Sequence, residues 1–110
     1  MKEKYAYIST TGEHVNEVVP KKIKIKKFFT HGEFNYFCHK IPDTQTYRIS
    51  NAETGMCILD GQKTIKGAIE AAHKLLDRIG EQNVKSTIIE KKNALTEIGF
   101  YEKLNKLKEN

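Results

Sequence analysis

Two cysteines and two of the four histidines are the residues of this chain that could hold a metal ion or supply a nucleophile. Cys38 and His39 are adjacent, and Cys57 and His73 follow at wide intervals. Structural zinc sites use ligand pairs at C-x2–4-C or H-x3–5-H spacing, and this sequence contains no such pair. Adjacent residues of a strand point to opposite faces, so Cys38 and His39 do not form a catalytic pair. We therefore expect no metal, no cofactor, no catalytic residue and no enzymatic activity.

The remaining histidines and the glycines have structural explanations. His14 and His31 are expected in loops or turns, and neither belongs to a catalytic motif in the sequence. Gly55, Gly61 and Gly67 are spaced by six residues and do not form a GxxxxGK[ST] or GxGxxG motif. Turns and helix packing account for each of them, so the sequence does not predict a phosphate-binding loop.

A row of lysines is the strongest chemical pattern that remains. Lys22, Lys24 and Lys26 alternate with Ile23 and Ile25, and a period of two places the lysines on one face of a strand. This strand is predicted over Lys21–Phe29. The lysine row has two interpretations: a solvated or edge-protecting face, or a stripe that contacts phosphates.

Other cationic and aromatic residues could contribute to the same surface. The cationic candidates for contact with a nucleic acid or an acidic partner are Lys22, Lys24, Lys26, Arg48, Lys63 and Lys66. The candidates for stacking on unpaired bases are Tyr36, Phe37 and Tyr47, provided that their rings are exposed. Burial in the core is the competing fate of these aromatic residues.

The composition predicts a single, basic domain. Nineteen Lys and Arg residues outnumber fourteen Asp and Glu residues, which gives a net charge of +5 and favours phosphate backbones or acidic proteins as partners. A chain of 110 residues is expected to form one core. The N-terminus lacks an apolar signal region, no run is long enough to span a bilayer, and the cysteines show no paired spacing. We expect a cytoplasmic protein with reduced thiols.

Alternating residues predict that the first part of the chain, residues 1–62, is mainly sheet. Two short runs around Gly12 predict an N-terminal hairpin that ends at Pro20. The segment from Ile23 to Leu59 predicts an antiparallel meander of about four strands. Within it, Gly55 supplies the positive φ of a short, bulged connection.

The period changes to 3.6 after the last strand. Residues 63–80 are predicted to form a core helix from about Thr64 to Ile79, with Thr64 as N-cap and Gly80 as the stop signal. Residues 82–110 predict one or two C-terminal helices, with a break at Gly99. These helices are expected to pack on the domain, to form a homodimer or to contact another protein. The predicted fold is therefore α+β: a meander of four to six strands packed by an amphipathic helix, with C-terminal helices.

The segment from Gly55 to Gly80 resembles the strand-to-helix part of two families. In double-stranded-RNA-binding domains, the helix after the last strand opens with lysines and continues with alanines, and this segment is similar at Lys63, Lys66, Ala68, Ala71 and Ala72. Gly61, Thr64 and Ala68 resemble the Gly-x-Thr-x-x-x-Ala pattern of HicB-type antitoxins, with one extra residue. Each resemblance covers about a third of the chain and implies a strand followed by a packed helix.

The pattern YRISNAETG followed by G-x-K-T-x-K-x-A-I-E-x-A is similar to small uncharacterised proteins of Gram-positive phages and mobile elements. This resemblance implies an accessory role, including inhibition of host defence nucleases. Two functions are therefore expected. The first is non-catalytic binding of nucleic acid through the lysine-rich strand face. The alternative is a protein-directed inhibitor or adaptor that acts on a host protein such as a defence nuclease.

Overall fold

The computed structural model describes residues 4–12 and 17–109, which form six strands and three helices. Their order is β1 (Lys4–Thr11), β2 (Val18–Ile25), β3 (Lys27–His31), β4 (Phe34–Lys40), β5 (Tyr47–Asn51), β6 (Cys57–Gln62), α1 (Ile65–Ile79), α2 (Glu81–Glu97) and α3 (Phe100–Glu109). The strands form a two-stranded and a four-stranded antiparallel sheet. The predicted α+β class is confirmed.

The N-terminal hairpin has a different second strand from the one that the sequence predicted, because most of β2 belongs to the segment predicted as a separate strand over Lys21–Phe29. Its strands β1 and β2 pair from Lys4 opposite Ile25 to Thr11 opposite Val18. Pro20 was expected to end the hairpin, but it lies inside β2 opposite Ser9. Both strands of a two-stranded sheet are edge strands. Proline is tolerated on an edge strand because the side that faces solvent forms no backbone hydrogen bonds with another strand. Residues 13–16, which include His14 and part of the predicted second run, lie outside the described residues.

The predicted strand Lys21–Phe29 is divided between the two sheets. β2 ends at Ile25, the backbone bends at Lys26, and β3 begins at Lys27. The Lys26 amide donates a 2.8 Å hydrogen bond to the Cys38 carbonyl, so the chain enters the second sheet at this bend. A strand that changes sheets through a local bend is a common way to join two packed sheets.

The predicted meander is the four-stranded sheet, in the order β3-β4-β5-β6. Its central strand β4 is buried on both faces. Tyr36 and Cys38 lie on one face, and Phe37 and His39 lie on the other. Gly55 has a φ of 71°, as predicted for the connection between β5 and β6. The register shifts along β5 and β6 mark the expected irregularity in this pair.

The predicted core helix is confirmed as α1. The Thr64 side chain caps it by accepting a 2.9 Å hydrogen bond from the Gly67 amide. Gly80 ends it with a φ of 93°. The buried stripe of α1 covers the Tyr36 face of the meander and joins Val84 and Ile88 of α2 in one core. Apolar burial at helical spacing explains why this helix was visible in the sequence.

The C-terminal helices pack on the rest of the chain. Gly99 separates α2 from α3 with a φ of 75°, as predicted. Phe100 is buried at the start of α3, and the Tyr101 hydroxyl donates a 2.7 Å hydrogen bond to the Glu53 carbonyl. Lys103 lies 3.9 Å from Glu17, next to β2. No helix among the described residues is both long and apolar enough to cross a membrane.

Candidate nucleic-acid interface

The register of the N-terminal hairpin places aromatic and cationic side chains opposite one another. Tyr5 pairs with Lys24, and Tyr7 pairs with Lys22. Residues directly opposite on antiparallel strands share a face, so these four side chains form one surface. We call it the tyrosine–lysine face. The other face of the hairpin carries Ile25, which is buried.

Part of the tyrosine–lysine face is open to solvent, although both of its tyrosines also line a cavity with Phe37 and Phe100. Lys22 and Lys24 are exposed, and Tyr5 is 46% exposed. The Lys22 ammonium lies 4.8 Å from the centre of the Tyr5 ring, a distance typical of a cation–π interaction. This contact holds a positive charge beside an exposed aromatic ring. The surface therefore offers a charge for phosphate and a ring for a base.

Helix α3 adds another lysine to this surface. The Lys108 ammonium lies 5.8 Å from the centre of the Tyr7 ring. The Tyr7 ring lies beneath this lysine and is half-buried, whereas Tyr5 is exposed. Tyr5 is therefore the main ring that a base could stack on, and Tyr7 and Lys108 extend the face toward α3.

Of the predicted lysine row, Lys22 and Lys24 lie on one strand face, as the alternation predicted. Lys26 is exposed but lies in the bend between the two sheets, outside both strands. The row is therefore shorter than expected, because the period of two holds only while the chain stays in one strand. Lys26 continues the exposed positive charge toward β3, where Lys27 is also exposed.

Arg48 lies inside the meander, where an acid partly compensates its charge. Its Nη2 lies 3.8 Å from Asp60, and its Nε is buried without a hydrogen-bond partner among the described residues. It is cross-strand neighbour to His39. Burial and then the Arg48 charge lower the pKa of His39 to about 4. This histidine is therefore neutral near pH 7, and its Nε2 is 2.9 Å from the Ser50 hydroxyl.

Lys63 and Lys66 are exposed near the start of α1. This helix follows β6, whereas the tyrosine–lysine face connects through Lys26 to β3. β3 and β6 are the two opposite edges of the meander, about 14 Å apart at ~4.8 Å per strand. The predicted cationic residues are thus distributed over the hairpin, the bend after it, the start of α1 and a half-buried position on β5.

The predicted stacking residues belong mainly to the core. Tyr36 and Phe37 have no exposed surface, and Tyr47 is half-buried beside the main hydrophobic cluster. Tyr36 and Phe37 are therefore not available to stack on a base, which corrects that expectation. The physical reason is that β4 is a central strand with both faces covered. Burial also raises the pKa of the Cys38 thiol on this strand.

The sequence did not single out Tyr5, which is exposed, or Tyr7, which is half-buried, as candidate stacking residues. Their alternation predicted a strand, but only the register with β2 shows that they face the lysines. A useful sequence signal was the matching period of two in KYAYIST and KKIKIKK. Register depends on a turn of unspecified length, so the pattern alone did not pair the two runs.

The structure also brings together two histidines that the sequence left apart. The Nδ1 atoms of His31 and His73 are 2.7 Å apart, and His31 Nε2 lies 3.0 Å from the Asp77 carboxylate. In the tautomer of His31 that carries its single ring proton on Nε2, that nitrogen donates to Asp77 and Nδ1 accepts the Nδ1 proton of His73. Phe29 packs edge-on against His73 at 5.1 Å. The cluster joins β3 to α1, although His31 was expected in a turn.

Cys38 and Cys57 are not in a disulfide; the first is buried and the second exposed. Over residues 4–12 and 17–109, no group of three or more His, Cys, Asp or Glu side chains is arranged to hold a metal ion. Comparisons of the chain with protein-family models, curated proteins and solved structures find no match.

Proposed function

We propose that this protein binds single-stranded nucleic acid through the tyrosine–lysine face. The observation that carries the proposal is the pairing of the half-exposed Tyr5 ring with Lys22 at 4.8 Å and with Lys24 across the strand. Single-strand binders combine positive charge that follows the backbone with aromatic rings that stack on bases. Both components occur here on one exposed surface.

In this proposal, the lysines and Tyr5 have different tasks. Lys22 and Lys24 contact phosphates, which releases counterions and makes affinity depend on salt. Tyr5 stacks on one base, a contact that contributes about 1–3 kcal/mol in comparable proteins. Every base has a π-face, so binding is expected to tolerate many sequences. Paired bases are stacked inside a duplex, so single strands are expected to bind more tightly.

Fluorescence anisotropy with labelled single-stranded and duplex DNA and RNA tests this proposal. We expect Tyr5→Ala to weaken single-strand binding by about tenfold, while Tyr5→Phe retains most of the affinity because it keeps the ring. Replacing both Lys22 and Lys24 with alanine is expected to reduce the slope of log affinity against log salt by about 1.4, or about 0.7 per phosphate contact.

The matched control replaces both Lys63 and Lys66 with alanine. This variant removes the same amount of positive charge, but from the start of α1, next to β6. It is therefore expected to retain the part of the affinity that depends on Tyr5. The proposal is wrong if no binding occurs at low salt. It is also wrong if Tyr5→Ala leaves single-strand binding unchanged in a folded protein.

A protein-directed inhibitor or adaptor, such as one that acts on a nuclease, is the second candidate function. Three exposed apolar side chains on or beside the C-terminal helices favour it: Ile89, Ile98 and Leu107, each more than 40% exposed. Contiguous exposed apolar patches mark sites where one protein docks on another, so this candidate requires that a partner cover these side chains together. A second copy of the chain is another occupant of the same surface.

Pull-down from a nuclease-treated lysate tests this candidate, together with sedimentation of the purified protein. A specific partner or a dimer should be lost when Ile89 and Ile98 are both replaced with lysine, and retained when Tyr5 is replaced with alanine. The reverse pattern would assign the interaction to the tyrosine–lysine face. Absence of both a partner and a dimer would eliminate the second candidate.

A further inference from the structure

Two histidine rings meet between β3 and α1, with one nitrogen atom of each ring in contact. The Nδ1 atoms of His31 and His73 are 2.7 Å apart, and the centres of the two rings are 4.9 Å apart. The rings come from different elements, because His31 ends β3 and His73 lies within α1. Neutral imidazole nitrogens are common ligands of Cu²⁺, Ni²⁺ and Zn²⁺ in proteins. The pair therefore has the chemistry of two metal ligands.

The other nitrogen of the His31 ring is held as it is in metal-binding histidines. His31 Nε2 lies 3.0 Å from the carboxylate of Asp77, which follows His73 by about one turn of α1. A histidine that binds a metal almost always donates its second ring N–H to a carboxylate, a carbonyl or water, which fixes the ring and its tautomer. When the ring proton of His31 is on Nε2, its Nδ1 carries a lone pair on the side of His73.

A metal ion and a proton compete for the space between the two Nδ1 atoms. Without a metal, His73 donates its Nδ1 proton to His31. For both Nδ1 atoms to bind a metal, the proton of His73 moves to Nε2 of the same ring. Each ring keeps one proton and stays neutral, so this exchange changes a tautomer and no charge. The carboxylate of Asp77 remains on His31 throughout.

The distance between the two nitrogens is closest to that expected for a square-planar ion. With metal–nitrogen bonds of about 2.0 Å, two ligands at a right angle are about 2.8 Å apart, whereas two ligands at the tetrahedral angle are about 3.3 Å apart. The observed separation is 2.7 Å. Square-planar geometry is typical of Cu²⁺ and Ni²⁺, and Cu²⁺ binds more tightly to a given nitrogen site. A small rotation of either ring brings both lone pairs onto one ion.

A hydrated ion can reach the pair from solvent. The His31 side chain is 21% exposed, and Asp77 beside it is 76% exposed. His73 is half-buried, and Phe29 packs against its ring at 5.1 Å. Water can supply the remaining ligands. A site with two protein ligands therefore agrees with the absence of any group of three or more metal-binding side chains among residues 4–12 and 17–109.

From these observations we infer that His31 and His73 bind one Cu²⁺ ion through their Nδ1 atoms. Asp77 positions His31, and water completes the coordination. This site departs from the expectation of no metal, because the two histidines are 42 positions apart and form no ligand motif in the sequence. The site joins β3 to α1 and does not depend on the tyrosine–lysine face, which belongs to the hairpin and α3.

Titration of the full chain with Cu²⁺, followed by electron paramagnetic resonance, tests the inference. Cys57 is replaced with serine in every sample, because it is exposed and thiolates bind copper themselves. We expect one saturable site whose spectrum shows two imidazole nitrogens. His31→Ala and His73→Ala should each remove this two-nitrogen signal. Asp77→Ala should keep the signal but weaken the affinity by about tenfold, as expected for a group that orients a ligand.

Two other histidines provide the controls. His14→Ala changes a residue outside the described ranges, and His39→Gln changes a buried one. Both variants should retain the two-nitrogen signal. The inference is overturned if copper binding does not saturate, if the spectrum shows fewer than two imidazole nitrogens, or if His31→Ala and His73→Ala keep the signal. An unchanged affinity in Asp77→Ala would overturn the positioning role of that carboxylate.

Discussion

The two sheets of this protein place similar residues in opposite environments. In the meander, Tyr36 and Phe37 occupy both faces of a central strand and have no exposed surface. In the hairpin, Tyr5 remains 46% exposed, while Ile25 of the same sheet is buried. Aromatic or aliphatic residues recur at every second position in both regions. The aromatic residues of β4 are nevertheless buried in the core, whereas Tyr5 of β1 is exposed.

The difference arises from how many faces of each sheet are covered. α1 and α2 pack on one face of the meander. On the other face, Phe37 shares a cavity lining with residues of β1 and α3. The hairpin has two strands, and its tyrosine–lysine face is only partly covered: Lys22 and Lys24 are exposed, while Tyr5 and Tyr7 also line this cavity. An aromatic residue in a strand therefore indicates binding only when the face it occupies is left uncovered.

The largest expected effect comes from the same substitution made in each region. Tyr36→Ala should lower the free energy of unfolding by about 4 kcal/mol, because it empties a large, fully buried volume. Tyr5→Ala should change it by only about 0.5 kcal/mol, as is usual for exposed positions. Urea unfolding followed by circular dichroism measures both. Equal losses would show that the hairpin belongs to the same packed core as the meander.

The buried His39 predicts how stability depends on pH. Its pKa is about 4 in the folded protein, compared with about 6.5 when unfolded. As the pH falls from about 6.5 toward 4, the unfolded chain binds a proton that the folded protein does not, so the folded state loses stability. The expected loss between about pH 7 and pH 4 is about 3 kcal/mol from this residue.

His39→Gln isolates this contribution. The glutamine amide can still reach Ser50, but it does not titrate. Between about pH 7 and pH 4, the variant should therefore lose about 3 kcal/mol less of its free energy of unfolding than the original protein. Urea unfolding at the two pH values, with both proteins, gives the difference directly. If both proteins lose the same stability, His39 is open to water and the second face of the meander is not sealed.

The sequence predicted the local elements well. α1 was recognisable because its apolar period, its Thr64 cap and Gly80 are all written within one segment. The positive φ of Gly55 and the break at Gly99 were also predictable from single residues, because glycine adopts positive φ angles without strain. The α+β class followed from the change of period near residue 63.

The candidate surface was less predictable, because it depends on contacts between distant segments. Tyr5 and Lys24 are nineteen positions apart and become neighbours only through the register of the hairpin. The bend at Lys26 is fixed by its bond to Cys38 in another sheet. The aromatic pattern of β4 left both stacking and core burial open for Tyr36 and Phe37, because the elements that cover the second face of the strand come from distant parts of the chain.

The contact between the two regions is tested by a pair of glycines with nearly equal backbone angles. Gly55 has a φ of 71° and Gly61 has a φ of 72°. A Cβ on Gly55 would lie 2.7 Å from the Ser9 nitrogen of β1, whereas a Cβ on Gly61 would have no atom within 4 Å. The Ser9 amide also donates a 2.8 Å hydrogen bond to the Gly55 carbonyl. Gly55 therefore lies where the hairpin meets the meander.

We expect Gly61→Ala to cost about 1 kcal/mol, from backbone strain alone, and Gly55→Ala to cost about 3 kcal/mol, from strain and the displacement of β1. The difference of about 2 kcal/mol measures how tightly the hairpin is joined to the meander, because the backbone term is common to both variants. Urea unfolding gives the two values, and amide hydrogen exchange locates the change. Faster exchange confined to β1 and β2 in Gly55→Ala would show that the hairpin opens separately from the meander. Equal costs for the two variants would contradict a close contact between Ser9 and Gly55, and with it the fixed position of the tyrosine–lysine face.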